Sequence, residues 1–229
     1  MHYINQNNIV VTNTPGVLTD DVADLAVAFS LALMRDVLAA NTFVQRGQWA
    51  TTRYPLTRQF SRKKVGIVGM GRVGQALCRR LTAFNCVVYY VDVNHVDVAA
   101  THADTVLQLA EGVDILILCA NATAQTHHII DRDVLTALGP DGYLVNVSRG
   151  SLVNQTDLIA ALEQHDIAGA ALDVLEHEPA VPDALLRPNV ILTPHYASGT
   201  HETREAMGKL VADNIRLFLN EGVVLTAVS

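Results

Sequence analysis

The stretch that decides the fold reads Val65-Gly66-Ile67-Val68-Gly69-Met70-Gly71-Arg72-Val73-Gly74. It begins as a short apolar run typical of a buried strand, and it ends in glycines with the spacing G-x-G-x-x-G. A helical pattern follows over residues 75–84. This order of strand, glycine turn and helix predicts a phosphate-binding site, because the first N–H groups of the helix and its positive dipole end face the turn.

Each glycine of this turn has a separate task in such a site. Gly69 permits the tight turn, Gly71 lets a pyrophosphate approach the backbone, and Gly74 lets the helix lie close to the strand. A glycine turn that binds nothing is the competing interpretation. The strand–turn–helix context counts against it, and so does the acidic residue described next.

That residue is Asp92, which comes directly after the apolar run Val87–Val91. An acid in this place can accept the hydroxyls of an adenosine ribose, and its charge repels a 2′-phosphate. No Arg or Lys follows before Arg132. The sequence therefore favours NAD over NADP, with an ordinary surface aspartate as the alternative.

Short apolar runs alternate with helical patterns through the rest of the chain. Continuous apolar strands between helices indicate a parallel sheet covered on both faces, so we predict an α/β fold with a doubly wound, Rossmann-type parallel sheet. The six runs are Val65–Val68, Val87–Val91, Ile115–Cys119, Tyr143–Val147, Ala168–Leu172 and Val190–Leu192.

Four segments lie outside this alternation. We predict a short strand at Ile9–Val11 and a helix over residues 22–38 that Thr19 caps. Residues 41–62 are polar and predict an irregular arm or linker, and a final helix with one apolar stripe is predicted over residues 200–219.

Composition excludes several classes of protein. The 229 residues carry a formal net charge of −7, which argues against a general nucleic-acid binder. The apolar stretch 22–38 contains Asp24, Arg35 and Asp36, so we expect no membrane span there. Three cysteines without metal spacing, and no signal-peptide pattern, predict a cytoplasmic protein without a metal site. His127 and His128 precede a helical pattern, and we expect them to face solvent or cap that helix.

Three further side chains follow strands at the edge where parallel sheets bind ligands. Arg149 follows Tyr143–Val147, Glu178 follows Ala168–Leu172 by six residues, and His195 follows the last run. Arg149 can bind a carboxylate with two hydrogen bonds and polarise an adjacent carbonyl. His195 can exchange a proton with the oxygen of that carbonyl, and a neighbouring Glu178 would favour the imidazolium. This set suits hydride transfer to a 2-oxo acid.

With these residues, the chain resembles the D-isomer-specific 2-hydroxyacid dehydrogenases over nearly its whole length. Residues 139–142 and 194–200 are most similar to the glyoxylate, hydroxypyruvate and hydroxyphenylpyruvate reductase branch. The matching segments are Asn13–Asp20, Gly69–Gly74, Leu144–Gly150, Ala168–Pro179 and Thr193–His195.

The resemblance implies a reductase that forms a D-2-hydroxy acid, with Arg149, Glu178 and His195 as catalytic residues and Asp173 holding the nicotinamide carboxamide. It also implies a homodimer built through the helix 22–38 and the arm 41–49. The implied cofactor-binding residues are Gly69, Gly71, Arg72, Val73, Gly74, Asp92, Cys119, Ala120, Val147, Ser148, Asp173, His195 and Ser198.

The family pattern also divides the chain. Residues 1–14 would end a substrate domain, 15–199 would form the NAD-binding domain with a dimerisation helix and arm at 17–50, and 200–229 would return to the substrate domain. The family carries most of that substrate domain before the segment that begins here. We therefore expect this chain to form only one wall of the active-site cleft. It would then be either a fragment of a longer enzyme or a natural truncation.

The chain departs from the family pattern at two places, and several alternatives stay open. The family usually has a proline near Ala120, and this chain has none there. The most similar branch often prefers NADP, whereas Asp92 and Val93 of this chain favour NAD. A module that binds NAD without turnover is the main alternative. Formate dehydrogenase pairs its histidine with Gln where this chain has Glu178. Phosphoglycerate dehydrogenase and a dinucleotide-dependent corepressor are further alternatives.

Overall fold

A computed structural model describes residues 9–228 and contains one sheet of seven parallel strands. The spatial order is β3-β2-β1-β4-β5-β6-β7, so the strand order reverses between β1 and β4. This confirms the doubly wound fold and all six predicted strands. The strands are β1 (Lys64–Val68), β2 (Val87–Val91), β3 (Thr101–His102), β4 (Ile115–Leu118), β5 (Tyr143–Asn146), β6 (Gly169–Leu172) and β7 (Val190–Leu192).

Helices cover both faces of the sheet. Short 3₁₀ turns lie at Gln48–Ala50, Gly150–Leu152 and Asp183–Leu185. The α-helices are α1 (Thr19–Arg35), α2 (Val37–Gln45), α3 (Arg72–Ala83), α4 (Val106–Glu111), α5 (Arg132–Leu138), α6 (Gln155–Gln164) and α7 (His201–Glu221).

Two hydrophobic cores flank the sheet, and strand β4 contributes to both. Ile115 and Ile117 pack with α1 and α3, whereas Leu116 and Leu118 pack with α4, α5 and α6. Side chains alternate between the two faces of a strand, and both faces are covered here, so all four side chains are fully buried. Each contributes roughly 1.5–3 kcal/mol by leaving water. A strand that is apolar on both faces is therefore typical of the middle of such a sheet.

Two predictions about the N-terminal part were wrong in detail. Ile9–Val11 forms no strand: only Thr12 makes an antiparallel bridge, to Ala227. Thr19 is the first helical residue rather than the cap, and its N–H donates to the carbonyl of Gly16. Residues 1–8 of the predicted segment 1–14 lie outside the described residues.

The predicted helix over 22–38 is two helices. Asp36 has a φ of +52°, which ends α1 and starts α2 in a new direction. The predicted irregular arm is therefore helical as far as Gln45. Its helical pattern escaped notice because α2 buries none of its residues within the chain.

The final helix confirms its prediction and leaves apolar side chains exposed. Thr200 caps α7 by accepting a hydrogen bond from the N–H of Thr203. Val211, Ile215 and Phe218 are 47%, 56% and 44% exposed, so much of the predicted apolar stripe is uncovered here. Within residues 9–228, no helix is both long and apolar enough to cross a membrane.

Candidate active site

The glycine turn between β1 and α3 has the close approaches that its sequence predicts. Gly69 has a φ of +94°, and a Cβ there would lie 2.6 Å from the N atom of Ala120. A Cβ at Gly74 would lie 2.2 Å from the carbonyl oxygen of Gly69. Gly71 has open space where a Cβ would be. Arg72 and Val73 begin α3, and the first N–H groups of a helix have no partner within it, so they are available to bind a pyrophosphate.

Asp92 lies beside this turn, directly after β2. Its Oδ2 atom accepts a hydrogen bond of 2.7 Å from the N–H of Met70, and its Oδ1 atom accepts one of 2.9 Å from the N–H of Asn94. The next side chain, Val93, is 98% exposed. The carboxylate is therefore held at the glycine turn and has an apolar neighbour where a cation would be needed to bind a 2′-phosphate.

The loop after β4 joins the glycine turn to the loop after β5. Ala120 packs against Gly69, and its carbonyl oxygen accepts a hydrogen bond from the hydroxyl of Ser148. Val147 is buried and Ser148 is partly buried. Cys119 is partly buried as a residue, but desolvation of its thiol raises the pKa to about 12. The thiol is therefore protonated at neutral pH.

Asp173, at the end of β6, is almost completely buried. Its Oδ1 atom accepts hydrogen bonds from the Thr193 hydroxyl (2.6 Å) and the Tyr196 N–H (3.0 Å), and its Oδ2 atom accepts one from the Ala197 N–H (3.0 Å). The N–H of His195 donates to the Asp173 carbonyl at 2.8 Å. Asp173 therefore ties the strand end to the loop that carries His195.

His195 and Glu178 meet at the carboxyl edge of the sheet. Nδ1 of His195 lies 2.8 Å from Oε2 of Glu178, while Oε1 accepts a hydrogen bond of 3.0 Å from the N–H of Leu175. Partial burial acts to raise the pKa of Glu178. The hydrogen bonds from His195 and Leu175, with the positive charge of Arg149, outweigh this effect, so its pKa is lowered. The structure thus brings the three residues predicted from the sequence to one place.

Arg149 is exposed, and its turn is held by a buried residue that sequence reasoning missed. Asn146, the last residue of β5, donates from its amide to the carbonyl of Arg149 at 3.0 Å and accepts from the N–H of Ser148 at 3.0 Å. Asn146 is 1% exposed. Its signal in the sequence, one polar residue in the apolar run Tyr143–Val147, is weak because such a run still fits an ordinary strand. Ser198, partly buried, follows the Asp173-bound segment by one residue.

The prediction for His128 was wrong, whereas His127 is exposed as expected. His128 is partly buried, and its Nε2 lies 2.5 Å from Oε1 of Glu176. His127, His128 and Glu176 offer possible metal-ligand atoms within 4.8 Å of one another. Spacing could not reveal this cluster, because Glu176 lies 48 residues further along the chain.

A doubly wound sheet with a glycine turn, an acid after β2 and an Arg, Glu and His at its carboxyl edge defines a dinucleotide-binding oxidoreductase domain. The chain belongs to the D-isomer specific 2-hydroxyacid dehydrogenase family, whose NAD binding domain matches residues 27–197. This confirms the resemblance inferred from the motifs.

Individual relatives align with almost the whole chain. It is 46% identical to a glyoxylate/hydroxypyruvate reductase A of Arabidopsis thaliana, over 97% of this chain and 72% of the plant protein. It is 43% identical to a hydroxyphenylpyruvate reductase of Plectranthus scutellarioides, with 97% and 72% covered. The structure of an NADPH-dependent glyoxylate/hydroxypyruvate reductase of Sinorhizobium meliloti, in complex with NADP and malonate, matches with a TM-score of 0.95 at 42% identity. That match covers 100% of this chain and 73% of the other.

Proposed function

We propose that the protein reduces a small 2-oxo acid to the D-2-hydroxy acid with NADH. NADH, when bound, supplies the hydride that adds to the carbonyl carbon. Arg149 binds the carboxylate of the substrate, and His195 gives a proton to the carbonyl oxygen as the hydride arrives. Glu178 orients the imidazole through Nδ1, which leaves Nε2 free to face the substrate.

The observation that carries this proposal is the 2.8 Å contact between His195 and Glu178, beside Arg149 and at the same edge as the glycine turn. A carboxylate hydrogen-bonded to one imidazole nitrogen fixes the orientation of the ring. A cation for the substrate and a proton donor in one place are what reduction of a 2-oxo acid needs. Family membership favours this enzyme over a module that binds NAD without turnover.

The relatives support a substrate class rather than one substrate. The plant relatives carry names for reductases of glyoxylate, hydroxypyruvate and hydroxyphenylpyruvate. All three are 2-oxo acids in which a carboxylate adjoins the carbonyl, and this is the pair of groups that Arg149 and His195 would bind. We therefore propose glyoxylate, hydroxypyruvate or an aryl pyruvate as the substrate.

The proposal for NAD rests on Asp92 and its neighbours. The Asp92 carboxylate is fixed at the glycine turn by two backbone N–H groups, and Val93 offers no positive charge. A 2′-phosphate next to this carboxylate would bring like charges together. The Sinorhizobium meliloti reductase is NADPH-dependent, so the cofactor preference is a point on which we propose that the two proteins differ.

The decisive experiment measures NADH oxidation with each of the three acids. We expect turnover with at least one acid and a loss of roughly 10²–10⁴-fold in kcat for His195→Ala. His201→Ala, at an exposed histidine at the start of α7, is the matched control and keeps the wild-type rate. Calorimetry with NADH checks that the variant still binds cofactor. NADH binding without turnover of any acid would favour the binding module, and an unchanged His195→Ala rate would remove the role of His195.

We also propose a homodimer in which the partner covers α2 and the following arm. Leu38, Val44 and Trp49 are 55%, 52% and 69% exposed. A groove of about 790 Å³ runs between this region and residues 187–191. Exposed apolar side chains on a helix that buries none of its own residues favour an interface. Light scattering should give twice the chain mass, and Leu38→Asp should reduce it to one chain.

We propose a cytoplasmic location as well. The structure contains the three cysteines, Cys78, Cys86 and Cys119, as free thiols. Thiols persist in a reducing compartment. Fractionation of cells that make the protein tests this, and recovery from a secreted fraction would contradict it.

A further inference from the structure

The loop after β6 is anchored at Glu176, a residue that the proposed mechanism does not use. Oε1 of Glu176 accepts the 2.5 Å hydrogen bond from Nε2 of His128, and Oε2 accepts one of 3.3 Å from the N–H of Gln155. The N–H of Glu176 donates in turn to Oε1 of Gln155 at 3.3 Å. One side chain thus joins this loop to the segment before α5 and to the first residue of α6.

Two residues further on, the same loop carries Glu178. The N–H of Leu175 donates to Oε1 of Glu178 at 3.0 Å, so the backbone at Leu175 sets the direction of that carboxylate. On the other side of the loop, a Cβ at Gly150 would lie 1.9 Å from the carbonyl oxygen of Leu175. The loop from Leu175 to Glu178 is therefore held at two points. Leu175 packs against Gly150, and Glu176 binds His128 and Gln155.

We propose that His128 and Glu176 form a positioning pair that holds Glu178 in the orientation needed to bind His195. This inference rests on the role proposed above for Glu178. Neither residue of the pair contacts the reacting atoms in this scheme. Their effect passes through the backbone of Leu175, whose N–H is one of the two groups that hold the Glu178 carboxylate.

The charge of Glu176 makes the anchor strong. Partial burial acts to raise the pKa of Glu176, but the hydrogen bonds from His128 and from the N–H of Gln155 outweigh it, and the pKa is lowered. Glu176 is therefore ionised at neutral pH. A hydrogen bond to an ionised acceptor is roughly twice as strong as one between neutral groups.

The contact distance favours a direct hydrogen bond over a shared metal ion. Two ligand atoms at about 2.0–2.1 Å from a tetrahedral zinc ion lie about 3.3 Å apart. His128 and Glu176 approach to 2.5 Å. His127 stacks on His128 with 3.8 Å between ring centroids and is exposed, and among the described contacts none links it to Glu176. His127 is therefore the matched control for His128.

The test is a double-mutant cycle with steady-state kinetics. We expect Glu176→Ala to lower kcat by about 10-fold or more with the KM for NADH unchanged, because misplacing a group near the reaction slows the chemical step. In a Glu178→Gln background, Glu176→Ala should cause no further loss, because the residue through which it acts is already disabled. His128→Leu should behave like Glu176→Ala, His128→Gln should recover most of the rate by donating to Glu176, and His127→Ala should match the wild type.

Several results would overturn the positioning role. They are a wild-type kcat in Glu176→Ala, an equal fold-loss from Glu176→Ala in the Glu178→Gln background, or loss of activity with a chelator and its return with Zn²⁺. Should Glu176→Ala fail to fold by circular dichroism, Glu176→Gln, which keeps an acceptor for Gln155, takes its place in the cycle. If Glu178→Gln alone leaves the rate unchanged, the proposed role of Glu178 fails instead, so the two failures are distinguishable.

Discussion

Gly150 lies so close to Leu175 that a Cβ at position 150 would be 1.9 Å from the carbonyl oxygen of Leu175. No side chain fits between these two backbones. The contact joins the turn after Arg149 to the loop that carries Glu178. The position of Arg149 relative to Glu178 therefore depends on the absence of a side chain at Gly150.

We predict that Gly150→Ala lowers both stability and activity. The added methyl group must push the two loops apart, at a cost of about 1–3 kcal/mol in the free energy of unfolding. We also expect kcat to fall, because Arg149 and Glu178 move relative to each other. Denaturant unfolding and NADH oxidation measure the two effects.

Gly208→Ala is the matched control for this substitution. Gly208 lies inside α7, and nothing lies within 4 Å of a Cβ built there. Alanine favours a helix interior over glycine, so stability should rise by roughly 0.5–1 kcal/mol with no change in rate. A Gly150→Ala protein as stable and active as the wild type would mean that the two loops are not in tight contact.

A second prediction concerns the choice of cofactor. Asp92→Ser together with Val93→Arg removes a negative charge from the ribose site and adds a positive one. We expect the ratio of kcat/KM for NADH to that for NADPH to fall by at least about 10-fold, or 1.4 kcal/mol. Val93→Ala alone keeps Asp92 and should leave the ratio nearly unchanged. A wild-type protein that already prefers NADPH would contradict our assignment of Asp92.

The pH dependence of stability should report on Glu178. Its pKa is lowered from the ordinary 4.5, so folding is favoured by its ionisation. That stability is present above the unfolded pKa and is lost as the pH falls through the lower folded value. Unfolding measured between about pH 3 and pH 6 should therefore depend less steeply on pH in Glu178→Gln than in the wild type. Equal slopes in the two proteins would argue against this ionisation.

The thiols should resist alkylation in the folded protein. Burial raises the pKa of Cys119 to about 12, and it also raises the pKa values of Cys78 and Cys86. Because the thiolate is the reactive form, we expect little modification by iodoacetamide at about pH 8 and full modification in denaturant. Peptide mass spectrometry measures each site separately. Rapid labelling of Cys119 in native protein would show that its thiol reaches solvent.

The sequence could predict those features that depend on residues close together in the chain. Strand β4, which contains Leu116 and Ile117, was predictable because a central parallel strand is apolar on both faces. Such a run of apolar residues is visible in the local sequence. Strand β3 has only two residues, Thr101 and His102, and no apolar run, so it left no such signal. Helix α2 was missed for a related reason. None of its residues is buried within this chain, so it has no buried face to give a clear periodic pattern.

The candidate site divides in the same way. Arg149, Glu178 and His195 were predictable because each follows a recognisable strand, and parallel strands end at one edge. The contact between His128 and Glu176 was not, because it joins residues 48 positions apart through side chains that no periodicity links. Asn146 was hidden for a different reason, since it completes an apolar run that reads as ordinary strand.

The hydrogen bonds of Asp173 have a consequence for how such a protein could diversify. Both carboxylate oxygens accept hydrogen bonds from residues 193–197, so the end of the sheet fixes the position of the loop that carries the proposed proton donor. We therefore expect substitutions in other parts of the proposed cleft to change the choice of 2-oxo acid while the proposed proton donor keeps its position.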